Sequence, residues 1–346
     1  MKDALSYDDV LLVPTYSDIK SRSEVSISTD LGNGLILELP ILASPMDTIS
    51  EAAMAVEIGC LGGAAVIHRY NTPEMQARQV ELAKDVAKSA HGTSINVGVA
   101  VGVSGDYMDR AKACIGAGAS FICVDVAHGH HLMMKEALEM LRKTFGKSMH
   151  IMAGNVATLE GINDLSDWGA DSVRCNIGGG SICSTRIQTG HGMPGLQTII
   201  DCSKTDRDVA IIADGGIRNS GDMVKALAAG ADVVMCGSLL SGTDESPGKV
   251  FEESDGTRWK AYRGMASKEA QVNWRGKYSS FEGVSTKVPY RGPVRNIILD
   301  IERGIRSGLS YSGSRNITEL QSTAEFVTQT PAGLGESKTH IMGRQW

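Results

Sequence analysis

The 346 residues carry 34 Lys and Arg against 40 Asp and Glu, a net charge of −6, with 42% hydrophobic and 21% charged side chains. That balance suits a globular chain able to bury a large core, and its acidic sign argues against a nucleic-acid partner. No apolar run reaches the roughly 18 residues needed to span a bilayer, and the opening MKDALSYDDV has no apolar signal core. Seven scattered cysteines with no C-x-x-C pair lead to the expectation of reduced thiols in a cytoplasmic protein with no membrane partner.

Eight short apolar runs then follow in chain order: ILASPMD (41–47), GGAAVIH (62–68), SINVGVAVG (94–102), FICVDVAHG (121–129), HIMAGNVAT (150–158), SVRCNIGGG (172–180), AIIADGGI (210–217) and VVMCGSLL (233–240). Nearly continuous runs of Val, Ile, Ala and Cys suit parallel strands buried on both faces. The intervening EMQARQVELAKDVAKSA and GDMVKALAAGA have helical periodicity, as a parallel sheet with crossover helices requires. Gly118-Ala119-Ser120, Gly169-Ala170-Asp171 and Gly230-Ala231-Asp232 repeat one helix-to-strand junction. The repetition favours a single closed (β/α)8 TIM barrel over residues 1–346, with a doubly wound open sheet as the alternative. Residues 241–295 are rich in Gly, Ser and charge and read as a mobile functional loop, with a flap at about 263–293. NIILDIERGIRSGL reads as a helix completing the barrel, and the last thirty or so residues read as irregular, docking on a neighbouring subunit.

Barrel chemistry sits at the C-terminal ends of strands, where the unusual residues fall. The sixth run leads into Gly178-Gly179-Gly180-Ser181-Ile182-Cys183-Ser184-Thr185-Arg186. Cys183 on that loop is placed either as a nucleophile or as a small thiol packed under a glycine turn. Asp214-Gly215-Gly216 and Gly237-Ser238 end the last two strands. They read as a phosphate site with a ribose-binding aspartate, or as tight turns capped by Asp and Ser. His128, His130 and His131 lack a further ligand at zinc spacing and read as structural or cofactor-contacting. Glu252 and Glu253 read as solvated charge. With no P-loop and no G-x-G-x-x-G opening a helix, any nicotinamide would not use a Rossmann site.

Taken together, YDDVLLVP, Pro45-Met46-Asp47-Thr48, Asp125 with AHGH, AGNVAT, GGGSICSTR, IADGGIR, GDMVKALAAGA, YRGMAS and VPYRGPV resemble, in order and over nearly the whole chain, the family of IMP dehydrogenase and GMP reductase. The resemblance implies a homotetrameric barrel enzyme of purine metabolism in which Cys183 attacks C2 of a purine mononucleotide, GMP or IMP. It implies Thr185 and Glu282 as a proton relay, and phosphate on Gly216, Gly237 and Ser238 with Ser181 and Gly215 beside it. Asp214 would take the ribose, and Gly264, Met265, Ala266 and Gly283 the base edge. A nicotinamide cofactor would cross Asp125, Val126, Ala127 and Tyr278. Its adenosine end would lie near Arg69 and a neighbour's Ser21, Arg22, Ser307, Gly308, Leu309 and Ser310. A monovalent cation, K+, would sit on the carbonyls of Gly178, Gly180, Cys183 and Arg186.

Within the family the sequence is most similar to GMP reductase, which uses NADPH. Only a helix separates Arg69 from the strand at 94, where dehydrogenases usually insert a regulatory domain pair. Lys20-Ser21-Arg22-Ser23-Glu24 is similar to the reductase N-terminal stretch. The flap between Met265 and Glu282 is short, with Tyr278 four residues before Glu282 and Arg275-Gly276-Lys277-Tyr278 where dehydrogenases carry an adjacent Arg-Tyr pair. Other features depart from that pattern. AGLGESKTH is similar to a dehydrogenase tail, Asn176-Ile177-Gly178-Gly179-Gly180 replaces the usual Gly-Ile-Gly-Pro-Gly, and Ser279 stands where reductases have Arg. The alternative is thus an IMP dehydrogenase without the insert, using NAD. A catalytically dead nucleotide sensor is the contrasting class, against which the intact Cys183, Thr185 and Glu282 argue.

Overall fold

The structure is a computed structural model that describes residues 3–278 and 282–339; Ser279 and His340 of the tail motif lie outside the described residues. An N-terminal strand β1 (Val10–Leu12) and a short hairpin, β2 (Thr29–Asp30) with β3 (Ile36–Leu37), come first. Each of the eight apolar runs then supplies one strand: β4 (Ile41–Ala43), β5 (Ala64–Ile67), β6 (Asn96–Val101), β7 (Phe121–Asp125), β8 (His150–Val156), β9 (Ser172–Cys175), β10 (Ala210–Asp214) and β11 (Val233–Cys236). Every strand pairs in parallel with its sequence neighbours, and β11 closes on β4 through Val234 opposite Ile41. The result is a closed (β/α)8 barrel, not an open sheet.

Helices α1 (Ala52–Cys60), α2 (Pro73–His91), α3 (Tyr107–Gly116), α4 (Leu132–Phe145), α5 (Leu159–Asp167), the short α6 (Thr185–Thr189), α7 (Gly195–Cys202) and α8 (Ser220–Ala228) form the crossovers. Helix α2 alone joins β5 to β6. Among the described residues no helix is long and apolar enough to cross a membrane.

Two apolar layers hold the barrel. The larger lies between strands and helices, and the smaller fills the interior with Leu42, Val66, Phe121, Met152, Ile212 and Met235. Leu31, Leu35 and Leu37 of the β2–β3 hairpin join that interior cluster. The His150 ring stands edge-on to Phe121 and its Nδ1 lies 3.1 Å from the Gly32 carbonyl. The hairpin therefore plugs the N-terminal end and leaves the other end free for a site.

The repeated junction works through backbone geometry. Gly118, Gly169 and Gly230 adopt φ of +95°, +113° and +112°, which side-chain-bearing residues rarely tolerate. The following alanine N–H returns to a carbonyl five residues back in each helix, Cys114, Leu165 or Ala226. The third residue ties to the neighbouring strand: Ser120 Oγ accepts from Val97 N–H at 3.2 Å, and Asp171 and Asp232 Oδ2 accept from Ile151 and Ile211 N–H at 2.7 Å.

Beyond β11 the structure corrects the sequence reading. Residues expected as an irregular loop form a three-stranded antiparallel sheet, β12 (Phe251–Glu252), β13 (Arg258–Arg263) and β14 (Ser285–Pro289), with α9 (Lys268–Arg275) between the last two. The sheet is largely exposed on its outer strands, so it carries no apolar alternation to read. Helix α10 (Val294–Tyr311) completes the barrel wall as expected. The tail also differs from the irregular segment expected. Helix α11 (Ile317–Thr323), strand β15 (Phe326–Thr328) and helix α12 (Pro331–Glu336) follow, and β15 pairs antiparallel with β1 of the same chain.

Burial pushes the Asp232 carboxyl up to about 6, against the pull of its bond from Ile211. A carboxyl raised in the folded state costs stability above its folded pKa and stops doing so once both states are protonated. Asp232→Asn, which keeps the acceptor oxygen, is therefore expected to raise Tm relative to the parent at pH 8 and to lose that advantage by about pH 4. Paired thermal melts at the two pH values check this.

Candidate active site

Side chains and turns from the C-terminal ends of the strands converge with the small sheet around a cavity of about 500 Å³. Cys183, on the loop after β9, is half-buried in its wall. Its Sγ lies 3.1 Å from Thr185 Oγ1, and Thr185 Oγ1 donates to Glu282 Oε2 at 2.7 Å. Glu282 is placed by main chain: its carbonyl accepts from Ser184 N–H at 2.9 Å, its N–H donates to the Ala266 carbonyl at 3.1 Å, and Val284 N–H donates to the Ile182 carbonyl at 3.0 Å. Gly283 bridges Cys183 on one side and Ser267 on the other. Cys183 and Thr185 on one loop and Glu282, 97 residues after Thr185, thus form one line from thiol to hydroxyl to carboxylate.

The other thiols contrast with this one. Burial pushes Cys114, Cys123 and Cys236 up to about 12, and a hydrogen bond with Cys202 raises Cys175. A thiol so held is a packing residue, not a nucleophile. Cys183 instead faces the cavity with the Thr185–Glu282 line beside it.

Gly215, Gly216, Gly237, Ser238 and Ser181 share the same wall. Tyr262 of β13 brings its hydroxyl to Ser181, and burial raises the phenol. The loop after β9 is pinned from behind by Asn176, whose Nδ2 donates to the Gly215 carbonyl at 3.2 Å. The Asn176 amide lies so close to Gly179 that a Cβ there would sit 2.2 Å from Nδ2. Asn176 and Gly179 therefore fit as a pair.

One wall of the cavity is formed by a largely buried ion cluster. Arg174 Nη1 donates to Asp125 Oδ1 at 2.5 Å, and its Nη2 donates to Asp214 Oδ2 at 2.8 Å. Asn155 Nδ2 donates to the same Asp214 oxygen at 2.8 Å. Tyr70 donates to the Met265 carbonyl at 2.7 Å and stacks near Trp274 of α9, and Arg263 pairs with Asp47 at 2.5 Å, so the flap is fastened to the β4 and β5 ends. Sequence reading missed Arg174, Asn155, Tyr70 and Tyr262. An arginine inside the apolar run SVRC was a usable signal, and Tyr262 and Asn155 stood in the blocks YRGMAS and AGNVAT without being singled out.

The residues expected at the nucleotide all line this cavity: Ser181, Asp214, Gly215, Gly216, Gly237, Ser238, Gly264, Met265, Ala266 and Gly283. Of those expected at the cofactor, Arg69, Asp125, Val126 and Ala127 also line it. Tyr278 is not on that lining; its ring lies under the Lys268 ammonium at 4.8 Å. Arg22 lines a separate cavity with Ser23, Arg303 and Arg306, and Ser21 caps the turn beside it. Ser307, Gly308, Leu309 and Ser310 lie on α10 away from this lining, with the Leu309 side chain buried in the barrel wall. Of the cation set, Gly178, Gly180 and Cys183 line the cavity, whereas Arg186 lies in the first turn of α6 with its carbonyl accepting from Gly190 N–H. His130 pairs with Asp164 at 2.8 Å and His131 Nδ1 caps α4. His128 is exposed, with burial and its histidine neighbours holding its pKa down.

Comparison with known proteins agrees with this geometry. The family model described as IMP dehydrogenase / GMP reductase domain matches residues 4–340. The inosine-5'-monophosphate dehydrogenase of Cryptosporidium parvum is 36% identical over 97% of this chain and 94% of its own. That of Nitrosopumilus maritimus is 33% identical over 98% of each. Among solved structures, a GMP reductase from Trypanosoma brucei in complex with guanosine 5'-monophosphate matches with a TM-score of 0.92 at 30% identity, covering 98% of both chains.

The Asn176–Gly179 fit yields a rescue test. Gly179→Ala is expected to weaken nucleotide binding by about tenfold or more, because the added methyl displaces the loop. Asn176→Gly in the same chain should restore most of the loss by vacating the space. Calorimetric titration of GMP and IMP into the three proteins reads the outcome.

Proposed function

The chain belongs to the IMP dehydrogenase / GMP reductase family, and from that premise we propose that it is a GMP reductase, converting GMP to IMP and ammonia at the expense of NADPH. The family's two named activities are oxidoreductions of purine mononucleotides. The observation that carries the reading is the line from Cys183 Sγ through Thr185 Oγ1 to Glu282 Oε2, with steps of 3.1 and 2.7 Å.

In this scheme the nucleotide phosphate rests on Gly216, Gly237 and Ser238, close to Ser181 and Tyr262, and Asp214 takes the ribose. Cys183, as thiolate, attacks C2 of the guanine. The Thr185–Glu282 pair delivers a proton to the 2-amino group, which leaves as ammonia and gives a thioimidate on Cys183. Asp125, Val126 and Ala127 would hold NADPH, which when bound would supply the hydride for C2. Cys183 then leaves as thiolate, the C–S bond breaks, and IMP is released. The cavity wall fits such a cofactor, because Asp125 bonds Arg174 through Oδ1 alone and Ala127 is exposed.

A cation held by the carbonyls of Gly178, Gly180, Cys183 and Arg186 belongs to the same proposal. Hard backbone oxygens suit an alkali ion such as K+ rather than a transition metal. Gly180 and Arg186 already accept from Cys183 and Gly190 N–H at 3.1 Å, so the ion would share them. A homotetramer and a cytoplasmic location complete the reading.

A second reading, IMP dehydrogenase acting with NAD, is favoured by the names of the curated relatives. It requires a residue to activate water for thioimidate hydrolysis. Arg275 lines the cavity, but the flap has Arg275-Gly276-Lys277-Tyr278 in place of the adjacent Arg-Tyr pair of dehydrogenases, which favours the reductase.

Cys183→Ala is expected to abolish turnover while leaving nucleotide affinity within about threefold, since phosphate and ribose contacts lie elsewhere. Retained NADPH oxidation would rule out the covalent route. Glu282→Gln is expected to slow ammonia release by roughly a hundredfold, with nucleotide affinity preserved; rapid-quench assay of released ammonia measures it.

A further inference from the structure

Arg174 is a charged residue inside a strand whose four positions are all buried. Its side chain is 7% exposed. From β9 it reaches Asp125 at the end of β7 and Asp214 at the end of β10. Nη1 takes Oδ1 of Asp125 at 2.5 Å, while Nη2 and Nε take Oδ2 of Asp214 at 2.8 and 3.1 Å. Cys123 Sγ, 3.6 Å from Nη1, and Asn155, on the shared Asp214 oxygen, complete its surroundings. Each carboxylate thus gives one oxygen to the guanidinium, and both residues line the cavity.

Two carboxylates facing one dry site repel each other unless a cation with matching geometry lies between them. A guanidinium offers a rigid fork of five donors, so it fixes both partners at once; an ammonium is a point charge that does not. Hydride transfer demands that nucleotide and nicotinamide be held in one close register.

We propose that Arg174 is the positioning residue that locks the ribose-binding aspartate and the cofactor-side aspartate into a common register, so that the two ligand half-sites are set by one side chain. This rests on the reading above, in which Asp214 meets the nucleotide and Asp125 the dinucleotide. Arg174 itself lines the same cavity; in this proposal it acts through the two carboxylates, and non-additivity with each of them separates that action from a direct contact, which would add.

The test is a pair of double-mutant cycles read by KM for each ligand and by calorimetric binding of GMP and NADPH. Asp214→Asn is expected to raise KM chiefly for the nucleotide, and Asp125→Asn chiefly for the dinucleotide. Arg174→Met should raise both by about tenfold or more. Its effect on the nucleotide should shrink at least about fivefold in the Asp214→Asn background, and its effect on the dinucleotide likewise in the Asp125→Asn background. Arg174→Lys retains charge without the fork, and should show the same non-additivity with a smaller loss, so it carries the test where Arg174→Met does not fold. A merely structural role predicts additive losses or a fall in kcat with both KM values unmoved, and either result overturns the proposal. Failure of the parent protein to bind GMP would instead overturn the nucleotide reading, and with it the premise of the coupling.

Discussion

Gly283 lies between two stretches of main chain, bridged to Cys183 on one side and to Ser267 on the other. A side chain there would bring its Cβ to 3.2 Å from the Ser267 amide nitrogen, so the narrow gap depends on a residue without one. This pairing carries Glu282 to Thr185, and Thr185 to the thiol. The thiol–hydroxyl–carboxylate line is therefore built by backbone hydrogen bonds between the β9 loop and the flap, and side-chain packing has only to hold those two segments still. On one side that is done by Asn176 behind the loop, and on the other by Tyr70 and by the Asp47–Arg263 pair that fasten the flap.

The polar interior follows the same economy. Buried ions are expensive unless paired and hydrogen-bonded, and several here border the site or the sheet beside it. Arg174 stands between Asp125 and Asp214, and Arg263 joins the first strand's loop to the small sheet. Lys260 is buried with its ammonium donating to the carbonyls of Thr243 and Ser246, which stiffens the hinge where the chain leaves the barrel. A sheet with almost no apolar face is held in place by a few such ties.

The barrel was legible because its physics is repetitive. Strands buried on both faces must be continuously apolar, and the Gly-Ala-Ser/Asp junction recurs because each crossover solves the same geometric problem. Cys183 and the glycine turns could be placed at strand ends, but the residues alone left packed-thiol and tight-turn readings open, and their expected roles came from the order of the family blocks. The sheet formed by β12, β13 and β14 was not legible, since Phe251, Arg258 and Lys287 face solvent and leave no alternating pattern. Nor was the pairing of β15 with β1, which joins residues more than 300 apart in sequence. Arg174 stood in plain view as a charge in an apolar run, but its meaning depends on Asp125 and Asp214, brought beside it only by barrel closure.

The most direct measurement is absorbance at 340 nm in potassium buffer, with GMP and NADPH in one cuvette and IMP and NAD in the other. The account predicts loss of signal in the first, with ammonia and IMP formed in equal amounts, and no change in the second. A gain in the second with XMP formed, and none of the first reaction, would contradict it and place water activation on a residue other than an Arg-Tyr pair.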